Sequence, residues 1–391
     1  MDYNFDKILD REGTHSYKWD HRKEVFGKED VLPLWVADMD FECAKPIVET
    51  LKSRADHKNY GYTAQPSTFY NAIIEWLEGQ HGWTVEQKEI NVTPGVIPAL
   101  NLAIREFSNP GDKIIVQSPV YYPFYDVVQN NGRRVLLNQL ELQDGNYRMD
   151  FENLELLLDD PRAKILILCS PHNPVGRVWT KKELERLGNL CLQHNVLVIA
   201  DEIHSDLTFE GYTHTPFASI SEEFAQQSIT CNSPSKTFNL SGLTTAYTII
   251  PNHVNAKRFE SMIQNIGLTL TNLFGIEALI AAYQEGEEWY RQLMEYLEEN
   301  RDFLCEFIQE NIPKITPIAP EGTYLVWLDC RELGLEPEDL KNFMIEKAKV
   351  GLTDGAKFSP GGDGFQRINI GCPRDILRKA LRRIEKAVNS L

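Results

Sequence analysis

The sequence has no long apolar run: nowhere are about 18 consecutive residues uninterrupted by polar ones, which excludes an obvious membrane-spanning helix. The amino terminus, MDYNFDKILDREGTHSYKWDHRK, lacks the basic stretch and apolar core of a secretory leader. A cytoplasmic protein with no membrane partner is therefore expected. Cysteine is sparse: Cys43, Cys169, Cys191, Cys231, Cys305, Cys330 and Cys372 are scattered and never form Cys-x-x-Cys. That excludes a disulfide framework and a zinc motif. Several lie in apolar runs such as KILILCS and QSITCN, where a thiol serves as a small core residue. Positive charge is also short, with 40 Lys and Arg against 57 Asp and Glu and a net charge of -17. A polyanion such as nucleic acid is thereby excluded as the main partner. Repeats, low-complexity tracts and a disordered linker are all missing.

What is present is enough apolar material for two cores. A chain of 391 residues with 42% apolar content exceeds the size at which one core usually keeps growing. Near-continuous apolar runs predict strands covered on both faces at Lys113–Gln117, Lys164–Cys169, Val196–Ala200, Ser228–Cys231 and Thr245–Ile250. Amphipathic stretches predict helices between them, including 98–107 and 180–194. The latter opens on Thr180 with Glu183 three residues on, a capping-box pattern. The alternation predicts an α/β fold with a mostly parallel sheet. From Glu287 a long charged helix closed by Pro313 begins, followed by the strand-like GTYLVWLD and helices near 337–349 and 373–390. This predicts a large domain over 46–286 and a smaller α+β domain from 1–45 and 287–391.

Five segments carry candidate chemistry. In SPSKTFNLSG, Lys236 follows an apolar strand in a polar, glycine-bearing loop. It is either a solvated surface lysine or an amine that forms an imine with an aldehyde once burial lowers its pKa. In ILILCSPHNPVGRVW, prolines flank Asn173 after a buried strand, where ligands bind in open α/β sheets; a plain proline turn is the alternative. In VLVIADEIHSDL, Asp201 and Glu202 end an apolar strand, which is unfavourable unless a cation, a helix amide or a metal meets them. No further clustered ligands support a metal. In NVTPGVIPALNLAI, the amides of Gly95, Val96 and Ile97 at a helix start could cradle a phosphate, although such turns occur in many folds. In GFQRINIGCP, Arg367 could grip a carboxylate with paired hydrogen bonds or face solvent.

Taken in order, the Gly-turn near 95, Tyr121 after Ser-Pro-Val, Asn-Pro-x-Gly at Asn173, Asp201 and Ser-x-x-Lys at Lys236 resemble the fold-type I, pyridoxal 5′-phosphate (PLP) dependent enzymes of the aminotransferase class I and II family. The resemblance covers nearly the whole chain. Trp35–Phe41 (WVADMDF), Asp-Glu-Ile-His and Ser-Lys-Thr-Phe-Asn most resemble the carbon-sulfur lyase, or cystathionine β-lyase, branch. The resemblance implies that Lys236 holds PLP and moves the substrate's α-proton, that Asp201 keeps the pyridine nitrogen protonated, that Asn173 bonds the 3′-oxygen and that Tyr121 stacks on the ring. The amides of Gly95, Val96 and Ile97, with the Ser233 hydroxyl, would hold the phosphate, and Arg367 the substrate carboxylate. Tyr62, in NYGYT, resembles a tyrosine that reaches the neighbouring subunit's phosphate, which implies a homodimer with shared sites. Family aminotransferases usually carry Tyr where this chain has His204 and often Arg where it has Thr244, and both departures resemble the lyase branch. His204 is read as a cofactor contact or a packed core residue, and Trp35, Asp38 and Tyr324 as pocket-lining candidates.

The implied reaction cleaves a carbon-sulfur bond at Cβ of a small amino-acid substrate such as cystathionine, giving a thiol, pyruvate and ammonia. An aminotransferase on the same scaffold is the first alternative. A scaffold with a regulatory binding role is the second.

Overall fold

The computed structural model describes residues 3–391. Its main sheet has seven strands: β1 (Ile90–Thr93), β2 (Lys113–Val116), β3 (Arg134–Leu137), β4 (Ala163–Cys169), β5 (Leu197–Asp201), β6 (Ser228–Asn232) and β7 (Ala246–Ile249). Their order is β1-β7-β6-β5-β4-β2-β3, parallel except that β7 runs antiparallel to both neighbours. The reversal follows from the short connection before β7. Residues 233–245 hold only a helical turn and a 3-10 turn, with no crossover helix to carry the chain back. The five strands read from the sequence all form, each with ends within about a residue of expectation; β3 gave too short a signal to be recognised.

Both faces of the sheet are covered, which is why β4 and β6 read as continuous apolar runs. One face packs against helix α1 (Val96–Phe107), whose Val96, Ala99, Leu100, Leu102, Ala103 and Ile104 are buried. Each of the larger of these contributes roughly 1.5–3 kcal/mol. The other face packs against helix α2 (Lys181–Gln193), where the Thr180–Glu183 capping box forms as expected. All parallel strands and β1 therefore end on the same edge of the sheet, the edge that carries Pro94-Gly95, Cys169, Asp201 and Ser233.

Helix α3 (Glu287–Asn311) runs 25 residues and buries Trp289, Leu293, Leu297, Leu304, Phe307 and Ile308 along one stripe. Asn300 interrupts the stripe but is matched, donating to the carbonyls of Ile370 (2.8 Å) and Cys372 (2.9 Å). Beyond it, β8 (Thr316–Ile318), β9 (Leu325–Asp329), β10 (Thr353–Asp354) and β11 (Phe365–Asn369) form an antiparallel sheet ordered β8-β9-β11-β10. The helix expected over 337–349 forms as an α-helical part, Pro337–Phe343, continued by a wider π turn, Met344–Ala348. The amino-terminal segment joins this region: Leu32 and Pro33 pair with Val350 and Gly351, and the Asn369 amide donates to Leu34 at 3.0 Å. Gly176 locks the main sheet to it. Its φ of +75° suits glycine, and a Cβ there would stand 2.5 Å from Pro320 Cβ.

Candidate active site

The strand ends converge on a cavity of about 230 Å³, which meets a second lobe of about 200 Å³ at Ala37, Tyr121 and Lys236. Lys236 lies in the turn Pro234–Thr237 directly after β6. Ser233 caps that turn, its hydroxyl accepting from the Ser235 amide (3.1 Å) and donating to the Thr245 carbonyl (2.7 Å). Lys236 Nζ donates to the Ala37 carbonyl at 2.7 Å. Burial lowers its pKa to about 8; Arg367 acts in the same direction and Asp38 and Asp201 against it. A lysine so placed can lose its proton near neutral pH and act as nucleophile or base.

Asp201 closes β5 and is buried, yet the one hydrogen bond its carboxylate receives among the described residues is from the Ile203 amide at 3.2 Å. Burial pushes its pKa up to about 7, only partly offset by that amide and Lys236. Arg367, in β11, is buried as well. It donates to Asn173 Oδ1 (2.9 Å), the Trp35 carbonyl (2.9 Å) and Thr353 Oγ1 (3.2 Å), while its Nε has no partner and no carboxylate lies in ion-pair range among the described residues. Burial lowers its pKa to about 10. A carboxylate and a guanidinium thus face one cavity, each without a counter-ion.

Asn173 is fixed from both sides, by Arg367 on its side chain and by the Tyr121 amide on its carbonyl at 3.0 Å, and its Nδ2 has no partner among the described residues. Tyr121 lines both lobes, and burial raises its hydroxyl to about 12, so it stays protonated. Gly95, Val96 and Ile97 line the first lobe at the start of α1, where helix amides lack intrahelical acceptors. His204 lines it too. Burial lowers its pKa to about 3, so it is neutral, and Nδ1 has no partner among the described residues.

Two of the pocket candidates stand elsewhere, and Tyr62, expected to reach the neighbouring subunit, lies away from this chain's own cavity. Asp38 lines neither lobe and is ion-paired with Arg11 at 2.8 Å. Tyr324 is packed behind the wall, its ring edge-on to His204 and its hydroxyl donating to the Ala37 carbonyl at 3.0 Å. Tyr62 lines neither lobe; it is 96% exposed in a surface depression with Tyr60 and Leu270. Trp35 lines the second lobe. Thr244, where family aminotransferases often carry Arg, lines the first lobe, as do Ser235, Ser241 and Thr245, which the sequence does not single out because small hydroxylic residues in a loop carry no distinctive pattern. Ala37 was missed because its contribution is a backbone carbonyl.

The residues present fit PLP. Its phosphate suits the start of α1, its ring nitrogen the unmatched Asp201, its phenolic oxygen the free Asn173 amide nitrogen, and its aldehyde Lys236. Together the fold and these groups define an α/β enzyme built around a phosphorylated aldehyde cofactor. The sequence profile of the aminotransferase class I and II family matches residues 29–384, and the chain belongs to that family. It is 46% identical to the cystathionine β-lyase PatB of Bacillus subtilis (strain 168), over 99% of this chain and 100% of that one. Cystalysin of Treponema denticola, a structure containing PLP, superposes with a TM-score of 0.97 at 36% identity over 100% of both chains. The PLP-bound C-S lyase of Staphylococcus hominis gives 0.94 at 30% identity, over 99% of this chain and 98% of that one. Among the described residues no helix is long and apolar enough to cross a membrane, and no cluster of His, Cys, Asp or Glu could hold a metal ion.

Proposed function

We propose that this chain is a PLP-dependent carbon-sulfur β-lyase of the cystathionine β-lyase type, cleaving cystathionine or related cysteine S-conjugates to a thiol, pyruvate and ammonia. The observation that carries the reading is the set of unmatched charges around one cavity: Lys236 with its lowered pKa, Asp201 without a cation and Arg367 without an anion. The likeness to PatB and to the PLP-bound lyases supports the choice of reaction.

PLP, when bound, supplies the electron sink that makes the α-proton acidic and the β-substituent a leaving group. The chain supplies the rest. Arg367 binds the substrate carboxylate and so fixes the α-carbon beside Lys236, whose Nζ takes the α-proton. Asp201 holds a proton on the ring nitrogen, a charge pair that matters most as negative charge develops. With the cofactor bound, Asn173 would bond the ring oxygen, Tyr121 would pack on the ring face, and the amides of Gly95, Val96 and Ile97 would hold the phosphate, with the Ser233 hydroxyl turning to it from the Thr245 carbonyl. His204, neutral, packs against the site. The work is divided between a large domain, 46–286, and a small one built from 1–45 and 287–391.

The chain works as a cytoplasmic homodimer in which Tyr62 reaches the neighbouring subunit's cofactor phosphate. The 96% exposure of Tyr62, beside exposed Tyr60 and Leu270, supports this, and a monomeric mass in solution would refute it. The reaction is tested on purified protein and Lys236→Ala by absorbance and by pyruvate release from cystathionine without a keto acid. A band near ~420 nm in the wild type alone, with pyruvate release, is expected. A band without pyruvate, and turnover only when a keto acid is added, would assign the chain to the aminotransferases.

A further inference from the structure

Behind the first lobe lies a buried carboxylate that the proposed reaction does not use. Asp206 stands in the loop after β5 and lines neither lobe. Three side chains donate to it. Its Oδ1 accepts from His81 Nε2 at 2.8 Å and from the Trp76 indole at 3.2 Å, both on the helix Ser67–His81, and its Oδ2 accepts from Thr237 Oγ1 at 2.7 Å. The Asp206 carbonyl accepts from the Tyr290 hydroxyl of α3 at 2.6 Å. Burial alone would raise the Asp206 pKa, but the bond and charge of His81, with the donors Thr237 and Trp76, hold it below the usual carboxylate range, so both oxygens act only as acceptors.

Thr237 is buried, follows Lys236 directly and closes the same short turn, Pro234–Thr237. Hydroxyls tie this turn at both ends. On the reading above, the Ser233 tie to the Thr245 carbonyl is given up when a phosphate binds, whereas the Thr237 tie faces away from the cavity, meets only protein and does not change with the ligand. The loop that carries Asp206 begins at Asp201 and is folded tightly, the Ser205 amide donating to the Glu202 carbonyl and the Leu207 amide to the His204 carbonyl, each at 2.9 Å. One short piece of chain thus holds the partner of the ring nitrogen at one end and the anchor of the lysine turn at the other. A long, flexible side chain places its amine accurately only from a fixed backbone, and an error of about 1 Å in a reacting group can lower a rate about 100-fold. We infer that Asp206 and Thr237 are positioning residues, whose hydrogen bond fixes the Lys236 turn relative to Asp201 and so sets where Nζ stands between the cofactor's aldehyde and the substrate's α-carbon. The inference rests on the reading of Lys236 as the imine-forming lysine and α-base, and holds for a lyase and an aminotransferase alike.

The test compares Thr237→Val, which keeps the shape and removes the hydroxyl, with Thr237→Ser, which restores it, and with Tyr290→Phe, which removes a hydrogen bond from the same Asp206 at its backbone. The first readout uses cofactor-free protein: the rate at which the band near ~420 nm appears on adding PLP. Beside it is measured the dissociation constant of pyridoxamine 5′-phosphate, which has no aldehyde and needs no lysine. The second readout is exchange of the α-proton of L-alanine in D2O by the holoenzyme, an event that needs no leaving group. Thr237→Val is expected to slow band formation and exchange by about 10–100-fold, with the KM for L-alanine and the pyridoxamine 5′-phosphate constant changed by less than about twofold. Thr237→Ser should recover most of both rates, and Tyr290→Phe should lower the thermal midpoint without slowing either. Unchanged rates in Thr237→Val, an equal loss in Tyr290→Phe, or a pyridoxamine 5′-phosphate constant weakened as much as the rates would overturn the inference. If Thr237→Val does not fold, Asp206→Asn decides, since a neutral amide oxygen still accepts from Thr237 but more weakly: both rates should fall about threefold, and no fall would overturn the inference. Absence of the band from the wild type would sink the reading of Lys236 itself, whereas a normal wild type beside an unaffected Thr237→Val sinks this inference alone.

Discussion

Two clusters of nearly the same residue types lie within one loop's reach of each other, and they behave in opposite ways. In the first, Lys18 is fully buried with its Nζ 2.7 Å from Asp40, Arg11 bridges Asp40 (2.6 Å) and Asp38 (2.8 Å), and the Trp19 indole donates to Asp40 at 2.9 Å. Burial alone would lower the Lys18 pKa and raise that of Asp40, but the mutual attraction reverses both shifts. In the second, Lys236, Arg367 and Asp201 have no such partners, burial prevails, and all three are pushed toward their neutral forms. Matched charges make a brace, whereas unmatched ones make a site awaiting a ligand of complementary charge. The two are coupled through the loop between them. The brace pins Asp38 and Asp40, and the same loop offers the Ala37 carbonyl on which Lys236 rests.

This contrast can be broken at several points. Lys236→Ala should reduce pyruvate release by about 10⁴-fold without lowering the thermal midpoint, because it removes a charge the fold does not match. A parallel fall in stability would make Lys236 part of a brace. Lys18→Met should do the reverse, losing about 3–5 kcal/mol in urea unfolding because Asp40 is left buried without one of its three side-chain partners, the one that meets Oδ2. A stable Lys18→Met protein would show that the paired cluster contributes little. Arg367→Lys should raise KM by roughly 10–100-fold at near-constant stability, since an ammonium cannot reproduce the forked contact with a carboxylate. An unchanged KM would remove Arg367 from substrate binding.

The smallest effect expected is in the pH dependence of the cofactor-free protein. The folded-state pKa of Asp201, about 7, lies above its ordinary value of 3.8, so the folded chain holds the extra proton between those limits and stability falls as pH rises through them. Asp40, shifted downward, acts oppositely: its contribution is present above its ordinary pKa and is lost as pH falls. Because Asp201 borders a cavity, its effect should be under about 2 kcal/mol, and Asp201→Asn should abolish it. A slope unchanged by that substitution would place the titration elsewhere.

The sequence by itself determined the α/β class, the alternation of strands and helices, the Thr180 cap and the positions of Lys236, Asp201, Asn173 and Arg367, because continuous apolar runs, capping chemistry and charges at strand ends are local signals. Only the tertiary structure decided which of the charged residues are matched. Lys18 looks like an ordinary surface lysine in SYKWD yet is the most deeply buried, and its partner Asp40 is 22 positions away. Of the pocket candidates, Asp38 lines neither lobe and is paired with Arg11, and Tyr324 stands behind the wall, while Asp354 reaches the cavity through the pairing of β10 with β11 and Lys357 from the turn that follows β10. Pairing of this kind depends on distances between segments remote in the chain, and burial and the Coulomb energies that set a pKa exist only once those segments are packed.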